Sequence, residues 1–494
     1  MLFNSTEFFL FFIAVTSLYF LISHKYRWVL LLLASCGFYM AFIPVYILIL
    51  GVTIVVDYFT GIYIEKFRKT KSKKYTRIFL IVSLIANVGI LAFFKYFNFF
   101  IDNFRAISDG LDWHFNYYYL SIALPIGLSF HTFQAMSYTI EVYRGNQKAE
   151  KHFGIYALYV MFYPQLVAGP IERPQNVLHQ FHEKKAFNYR DTTNGLKLMA
   201  WGLFKKVVIA DRLALFTDPV FNDSANYPSV TLLLAAFFFS YQIYCDFSGY
   251  SDIALGSAQV MGFKLMKNFD RPYHSKSIAE FWKRWHISLS TWFRDYLYIP
   301  LGGNRVKNVY RLYFNLFFVF LVSGFWHGAN WTFIVWGAMH GFYLVFALIK
   351  NKFLDKQLPD LKSHRSSFFQ NAFNVFFTFN LVMLAWIFFR ARNIMEGLFF
   401  IKKMIFGFYN NICEILKNHT LNLGVTTVTK TQIILSFTLI IVLELIHIIQ
   451  IKGSIRYKVE SKPAFIRWSL YYAIVLAIIF LGIYDKREFI YFQF

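Results

Sequence analysis

The chain alternates long apolar runs with short basic interruptions, and the length of the runs sets the fold class. An apolar opening run to Ile22 is followed by His24, Lys25 and Arg27. Trp28 to Val56 carries no charged side chain, and the run continues to Ile64 with only Asp57. A membrane-crossing helix takes about 20 residues, so this stretch predicts two passes that turn near Pro44. Glu65 to Lys74 is the most basic segment and is expected in the cytoplasm, which places the N-terminus outside. Ile78 to Phe100 predicts a further pass, Asp102 to Asn116 an external polar stretch, and Tyr117 to Tyr143 a pass containing Pro125 and Gly127. Phe153 to Ile171 is broken by Pro164, Gly169 and Pro170 and reads as re-entrant, because a broken helix at membrane depth needs protein around its freed backbone groups.

Gly195 to Phe216, interrupted by Lys205, Lys206, Asp211 and Arg212, reads as interfacial. Val230 to Phe263 is apolar around Asp246 and Asp252. Leu312 to Ile349 holds no Lys, Arg, Asp or Glu in 38 residues and predicts a two-pass hairpin turning between Gly324 and Asn330. Phe368 to Phe389, Ile433 to Ile451 and Ile466 to Tyr484 add passes, and Ile394 to Ile415 suits an amphipathic surface helix. The expected architecture is an all-α polytopic membrane protein, one integral membrane domain over residues 1–494, with about ten or eleven passes by the span-length rule. The N-terminal run lacks a basic leader and a small-residue cleavage site, so it is expected to be a retained span.

Composition sharpens this picture. At 57% hydrophobic, 21% aromatic and 16% charged, the chain has more apolar surface than a soluble fold can hide, and too few charges for one. Continuous apolar runs exclude a β-barrel, whose strands alternate with period 2. The net charge of +23 is that of cytoplasmic loops facing anionic lipid; no nucleic-acid motif accompanies it. Cys36, Cys245 and Cys413 offer neither zinc spacing nor a disulfide framework, and no metal ligand set is read from the sequence.

Candidate chemistry centres on histidines embedded in apolar sequence: His131, His327, His340 and His447. His327 lies at the turn of the charge-free hairpin, among small residues that permit close backbone approach, with Ser323 and Asn330 near enough in sequence to orient an imidazole. A second constellation runs from Ser277 to Leu289. Ser277 and Glu280 have the spacing of a capping box, and Ile278, Phe281, Trp282, Trp285, Leu289, Phe293 and Tyr296 recur at helical spacing. On one continuous helix His286 would share the apolar face and Arg284 would point away; the same pattern also suits an interfacial helix with aromatic anchors. Asp246 and Asp252 suit local helix-breaking hydrogen bonds with Ser248, Gly249 and Ser251, or an ion path if the chain is a secondary transporter, although repeated halves are not seen. The block from Arg271 to Arg311 holds eight basic and two acidic residues.

In these residues the chain resembles the membrane-bound O-acyltransferase family, most of all its alginate O-acetylation branch. The matching stretches are Phe130 to Gln134, Pro164 to Pro170, Trp201 to Lys206, Asp246 to Asp252, Arg271 to Arg305, Trp326 to Trp331 and Phe388 to Ala391, with Phe489 to Phe494 at the C-terminus. The resemblance implies a helical shell around a tunnel and acyl transfer from a cytoplasmic thioester to an acceptor across the membrane. It implies catalytic roles for His327 and His286. Trp282, Lys283, Arg284, Trp285, Arg305 and Asn330 are then expected to bind substrate, the cations attracting the phosphates of acetyl-CoA or another acyl thioester. The expectation is an O-acetyltransferase of the bacterial inner membrane with no bound cofactor. It would serve an exported polysaccharide through an extracytoplasmic acetyltransferase partner and the polysaccharide export machinery. D-alanyl transfer to a cell-wall polymer is the alternative.

Overall fold

A computed structural model describes residues 1–113, 115–121, 125–167, 169–357, 368–418, 423–451, 453–484 and 489–490, of which 354–357 and 418 are described by their backbone alone. The regular secondary structure of the described residues is all helical, with no strand among them. Eight of their helices are long and apolar enough to cross a membrane, and Thr6–Leu21 is apolar but shorter. The protein is a multi-pass membrane protein. The described chain divides into two compact units, Met1–Leu203 with Tyr250–Lys267, and Phe204–Gly249 with Asn268–Phe494.

In the first unit the turn at Pro44 falls as expected, between His24–Met40 and Tyr46–Lys69. Lys73–Leu91 continues through a π-turn, Ala92–Tyr96, into Phe97–Gly110, so the polar stretch is helical from Asp102 to Gly110. The pass expected from Tyr117 to Tyr143 is corrected too: its helix is Leu128–Arg144. Pro125 lacks an N–H and Gly127 takes φ +78°, a left-handed conformation that glycine tolerates, so these residues start the helix instead of sitting inside it. Phe153–Met161 and Tyr163–Leu166 are separated at Phe162, the break expected of a re-entrant segment.

The core of this unit is tied by buried polar groups. Asp57 Oδ1 accepts from Ser83 Oγ at 2.5 Å, and both its oxygens accept from Asn87 Nδ2 at 3.0 and 2.8 Å. Ser83 Oγ also lies 2.9 Å from Thr139 Oγ1. The carboxylate joins Tyr46–Lys69 to Lys73–Leu91, and Ser83 carries the network on to Leu128–Arg144. His131, fully buried, meets the Thr53 hydroxyl.

In the second unit the charge-free hairpin is real. Val309–His327 starts at Asn308, whose side chain accepts from Tyr310 N, and returns as Trp331–Gln357. The two helices approach so closely that a Cβ on Gly324 would lie 3.1 Å from Gly337 Cα. Phe368–Arg390, Lys430–Gln450 and Ala464–Leu481 follow as expected, and the surface segment is split at Gly407 into Ile394–Phe406 and Phe408–Asn418.

Two charged stretches are accommodated in the interior for one physical reason. Tyr189–Leu203 runs through the π-turn Phe204–Ala210 into Asp211–Asn222, with Lys205, Lys206, Asp211 and Arg212 all buried within the protein. Asp246 does not interrupt its helix, Ser229–Val260. Within the second unit Lys206 Nζ bridges Asp211 Oδ1 at 2.8 Å and Asp246 Oδ1 at 2.6 Å. Asp246 Oδ2 accepts from Ile490 N at 2.7 Å. Buried charges persist when paired and hydrogen-bonded, and these compensate one another across sequence distances that a linear reading does not join.

Candidate active site

Every residue singled out for chemistry between Trp282 and Asn330 lies in the second unit. Ser277 caps Ile278–Arg284, its side chain accepting from Glu280 N. The reciprocal half of a capping box is replaced: Glu280 Oε2 accepts from Lys276 N at 2.8 Å and Oε1 from Arg284 at 2.6 Å. The helix then stops. His286 takes φ +44° and ψ +55°, and a new helix, Ile287–Phe293, begins after it. The continuous helix expected from periodicity is therefore wrong, although His286 is fully buried as expected.

The break is braced by Asn268. Its carbonyl accepts from Ile287 N at 2.9 Å, and its side-chain oxygen accepts from Ser288 N at 3.2 Å and Ser288 Oγ at 2.9 Å. A left-handed conformation at a non-glycine residue costs about 1–2 kcal/mol, and such strain gathers where a side chain must be aimed. The His286 ring stands 4.7 Å from Phe247 and 6.4 Å from both Phe269 and Trp326, centroid to centroid. Ser288 Oγ lies 3.4 Å from its Nδ1. Burial pushes the imidazole pKa down to about 3, so the ring is neutral at physiological pH.

His327 is the last residue of its helix and 5% exposed. Its ring is flanked by Trp326 at 5.0 Å, Trp336 at 4.9 Å and Phe389 at 5.5 Å. Trp326 thus lies against both histidines. Gly328 follows directly, and a Cβ there would strike the Phe333 ring.

The neighbouring side chains sort into walls, cations and braces. Trp282 and Trp285 are buried. Trp282 Nε1 donates to His340 Nδ1 at 3.3 Å, and Trp285 packs 4.9 Å from Trp386. His340 is therefore engaged by a tryptophan N–H. Lys283 and Arg305 are exposed, and Arg305 closes the Leu301–Arg305 turn, where Gly302 and Gly303 have φ +108° and +55°. Arg284 is committed to Glu280. Asn330 is committed as well: its Nδ2 donates to Arg392 O at 2.9 Å and its Oδ1 accepts from Thr332 N at 3.0 Å. It fastens the hairpin turn, and these bonds leave its expected roles toward His327 or substrate without support.

Phe247, Asn268, Trp326, Trp336 and Trp386 belong to this site and were not marked by spacing. Trp326 and Phe247 do sit in stretches with recognisable motifs, which is the signal that could have found them. An aromatic enclosure around two imidazoles suits proton transfer at a buried carbonyl.

A model of the family described as MBOAT, membrane-bound O-acyltransferase, matches residues 18–391. The chain belongs to the membrane-bound O-acyltransferase family. It is an acyltransferase. Among its relatives is a peptidoglycan O-acetyltransferase of Helicobacter pylori, 39% identical and covering 76% of this chain and 73% of the relative. Another is the probable alginate O-acetylase AlgI of Pseudomonas aeruginosa, 37% identical over 88% of this chain and 81% of the relative. A teichoic acid D-alanyltransferase of Streptococcus thermophilus is 32% identical over 56% and 70%. Membership sets aside the transporter alternative, and Asp246 in this acyltransferase is tied to Lys206 and Ile490.

Proposed function

We propose that this acyltransferase moves an acetyl group from a cytoplasmic thioester, acetyl-CoA, to a hydroxyl acceptor that leads to O-acetylation of an exported polysaccharide. The carrying observation is that His286 and His327 flank one tryptophan, Trp326, inside a buried aromatic enclosure. In this reading the His327 imidazole takes the proton of the attacking hydroxyl as its oxygen bonds to the thioester carbonyl carbon. The neutral His286 N–H faces the oxyanion that develops, where one such donor is worth about 10²–10³ in rate. The carbon–sulfur bond then breaks, and the thiolate leaves with the proton returned by His327. Trp282 and Trp285 wall the acyl site. Lys283 and Arg305, exposed and basic, attract the donor's phosphates; Arg284, bound to Glu280, shapes that helix. The acetyl acceptor is an extracytoplasmic acetyltransferase partner, working with export machinery in the bacterial inner membrane. The D-alanyltransferase relative keeps D-alanyl transfer from a carrier-protein thioester as the second reading.

The test offers purified protein in lipid vesicles either acetyl-CoA or a D-alanyl carrier protein and follows thioester consumption. Consumption of acetyl-CoA alone is expected. Turnover of the aminoacyl carrier alone would replace the reading with the second one, and turnover of neither by folded protein would refute both.

A further inference from the structure

Three ligand-bearing side chains from distant positions meet in the second unit. His274 follows Arg271-Pro272-Tyr273, and Glu444 and His447 stand one turn apart on Lys430–Gln450, a spacing that puts both on one helix face. Glu444 Oε2 lies 2.6 Å from His274 Nε2 and 3.5 Å from His447 Nδ1. One ligand atom from each residue falls within 4.8 Å of the other two. His447 is 3% exposed. Its Nε2 lies 3.1 Å from the Tyr244 hydroxyl, and its Nδ1 has no hydrogen-bond partner. The His274 and Glu444 side chains retain 26% and 24% of their exposure, which gives the cluster an opening.

We propose that His274, Glu444 and His447 bind a divalent cation of the zinc class. Two imidazoles and one carboxylate are a donor set that suits this borderline-soft ion. Two ligands each about 2.0–2.1 Å from a tetrahedral zinc stand about 3.3 Å apart. The 3.5 Å separation of His447 Nδ1 from Glu444 fits that geometry, while it is too long for a good hydrogen bond. The 2.6 Å His274–Glu444 contact widens to the same value by rotation of one carboxylate. Tyr244 acts as a positioning residue: its hydroxyl at Nε2 fixes the ring so that Nδ1 faces the cluster, the arrangement that metal-bound histidines use. Lys205, 5.9 Å from the Tyr244 ring and bonded to Ser248 Oγ at 2.9 Å, adds a positive charge that limits the affinity. The ion would pin Lys430–Gln450 to the segment that leads into Ile278–Arg284, and so steady the approach to His286.

The test uses the full chain in detergent, without a polyhistidine tag, stripped by chelator and titrated with Zn²⁺ or Co²⁺ alone. One equivalent of zinc retained through gel filtration, a visible Co²⁺ absorption band and a higher melting temperature with Zn²⁺ are expected. His274→Ala, a substitution at a partly exposed side chain, should weaken binding at least about tenfold, and Tyr244→Phe by about tenfold, the effect of losing an outer-shell contact. Wild-type protein that retains no ion, or a folded His274→Ala protein that binds with unchanged affinity, would overturn the site. The wild-type titration decides the matter even if His447→Ala fails to fold.

Discussion

Asp57 in the first unit and the two site histidines in the second are all buried ionisable side chains, but their surroundings treat them in opposite ways. In the first unit Asp57 is saturated: Ser83 and Asn87 give it three short contacts from a neighbouring helix, and Ser83 reaches on to Thr139. In the second unit His286 and His327 are enclosed by the rings of Phe247, Trp326, Trp336 and Phe389. A carboxylate locked by donors holds helices together and has no capacity left for a substrate. An imidazole walled by rings is not locked by donors in the same way, and under the proposed function it exchanges a proton with the substrate. Burial alone therefore does not mark a reactive group; the chemistry of the wall does.

The largest expected effect tests the reactive side. His327→Ala should reduce acetyl transfer by about 10²–10⁴-fold, the usual contribution of a general base, while the protein accumulates and melts near wild type. Specific activity at matched protein level, with a melting curve in detergent, measures both. Near-normal transfer, or loss of activity only through loss of protein, would refute the assignment.

Asp57→Ala tests the structural side and should give the reverse pattern. It removes three hydrogen bonds to a buried acceptor and leaves Ser83 only Thr139 Oγ1 and the Asn87 amide only Ser83 O, where each lost buried bond costs about 0.5–1.5 kcal/mol or more. The melting temperature should fall clearly, and activity per folded molecule should stay close to wild type. A stable variant with lost turnover would show that the first unit also takes part in chemistry.

His340 lies between these extremes. It is fully buried and accepts from Trp282 Nε1, so His340→Ala removes a brace from a wall of the site. The expected outcome is a loss of about 1–3 kcal/mol in stability for the stranded N–H and a fall in turnover well short of that for His327→Ala. Equal losses in the two variants would erase the distinction between reacting and supporting histidines.

What the sequence could tell follows the same division. The hairpin around His327 was legible because 38 residues without a charge, ending in small residues, admit few other structures. The turn at Pro44 and the break near Pro164 were legible because proline acts locally. The break at His286 was not, since the apolar periodicity runs on through it and the bracing residue, Asn268, lies outside the helix. Lys206 read as a surface charge because its partners, Asp211 and Asp246, declare themselves only in three dimensions. The same distance hid the meeting of His274 with Glu444 and His447. The two histidines of the site came from motif resemblance; spacing alone supplied candidates without ranking them.

The smallest expected effect concerns the rim, where charge meets water and is screened. Lys283 is exposed, while Arg284 is held by Glu280 at 2.6 Å. If Lys283 steers an anionic donor, Lys283→Ala should weaken donor use several-fold at low ionic strength and little at high, because the Debye length shrinks from about 30 Å at 0.01 M salt to about 8 Å at 0.15 M. The effect should appear in KM for acetyl-CoA and leave kcat nearly unchanged. Arg284→Ala should instead cost a little stability at every salt concentration, through the freed Glu280, with no salt-dependent change in KM. The two neighbours thus repeat on the surface the contrast found in the core: one side chain consumed by its partner, the other left available to a ligand. A salt-independent loss for Lys283→Ala would place it with Arg284 as a support of the helix and would leave Arg305 as the donor-facing cation.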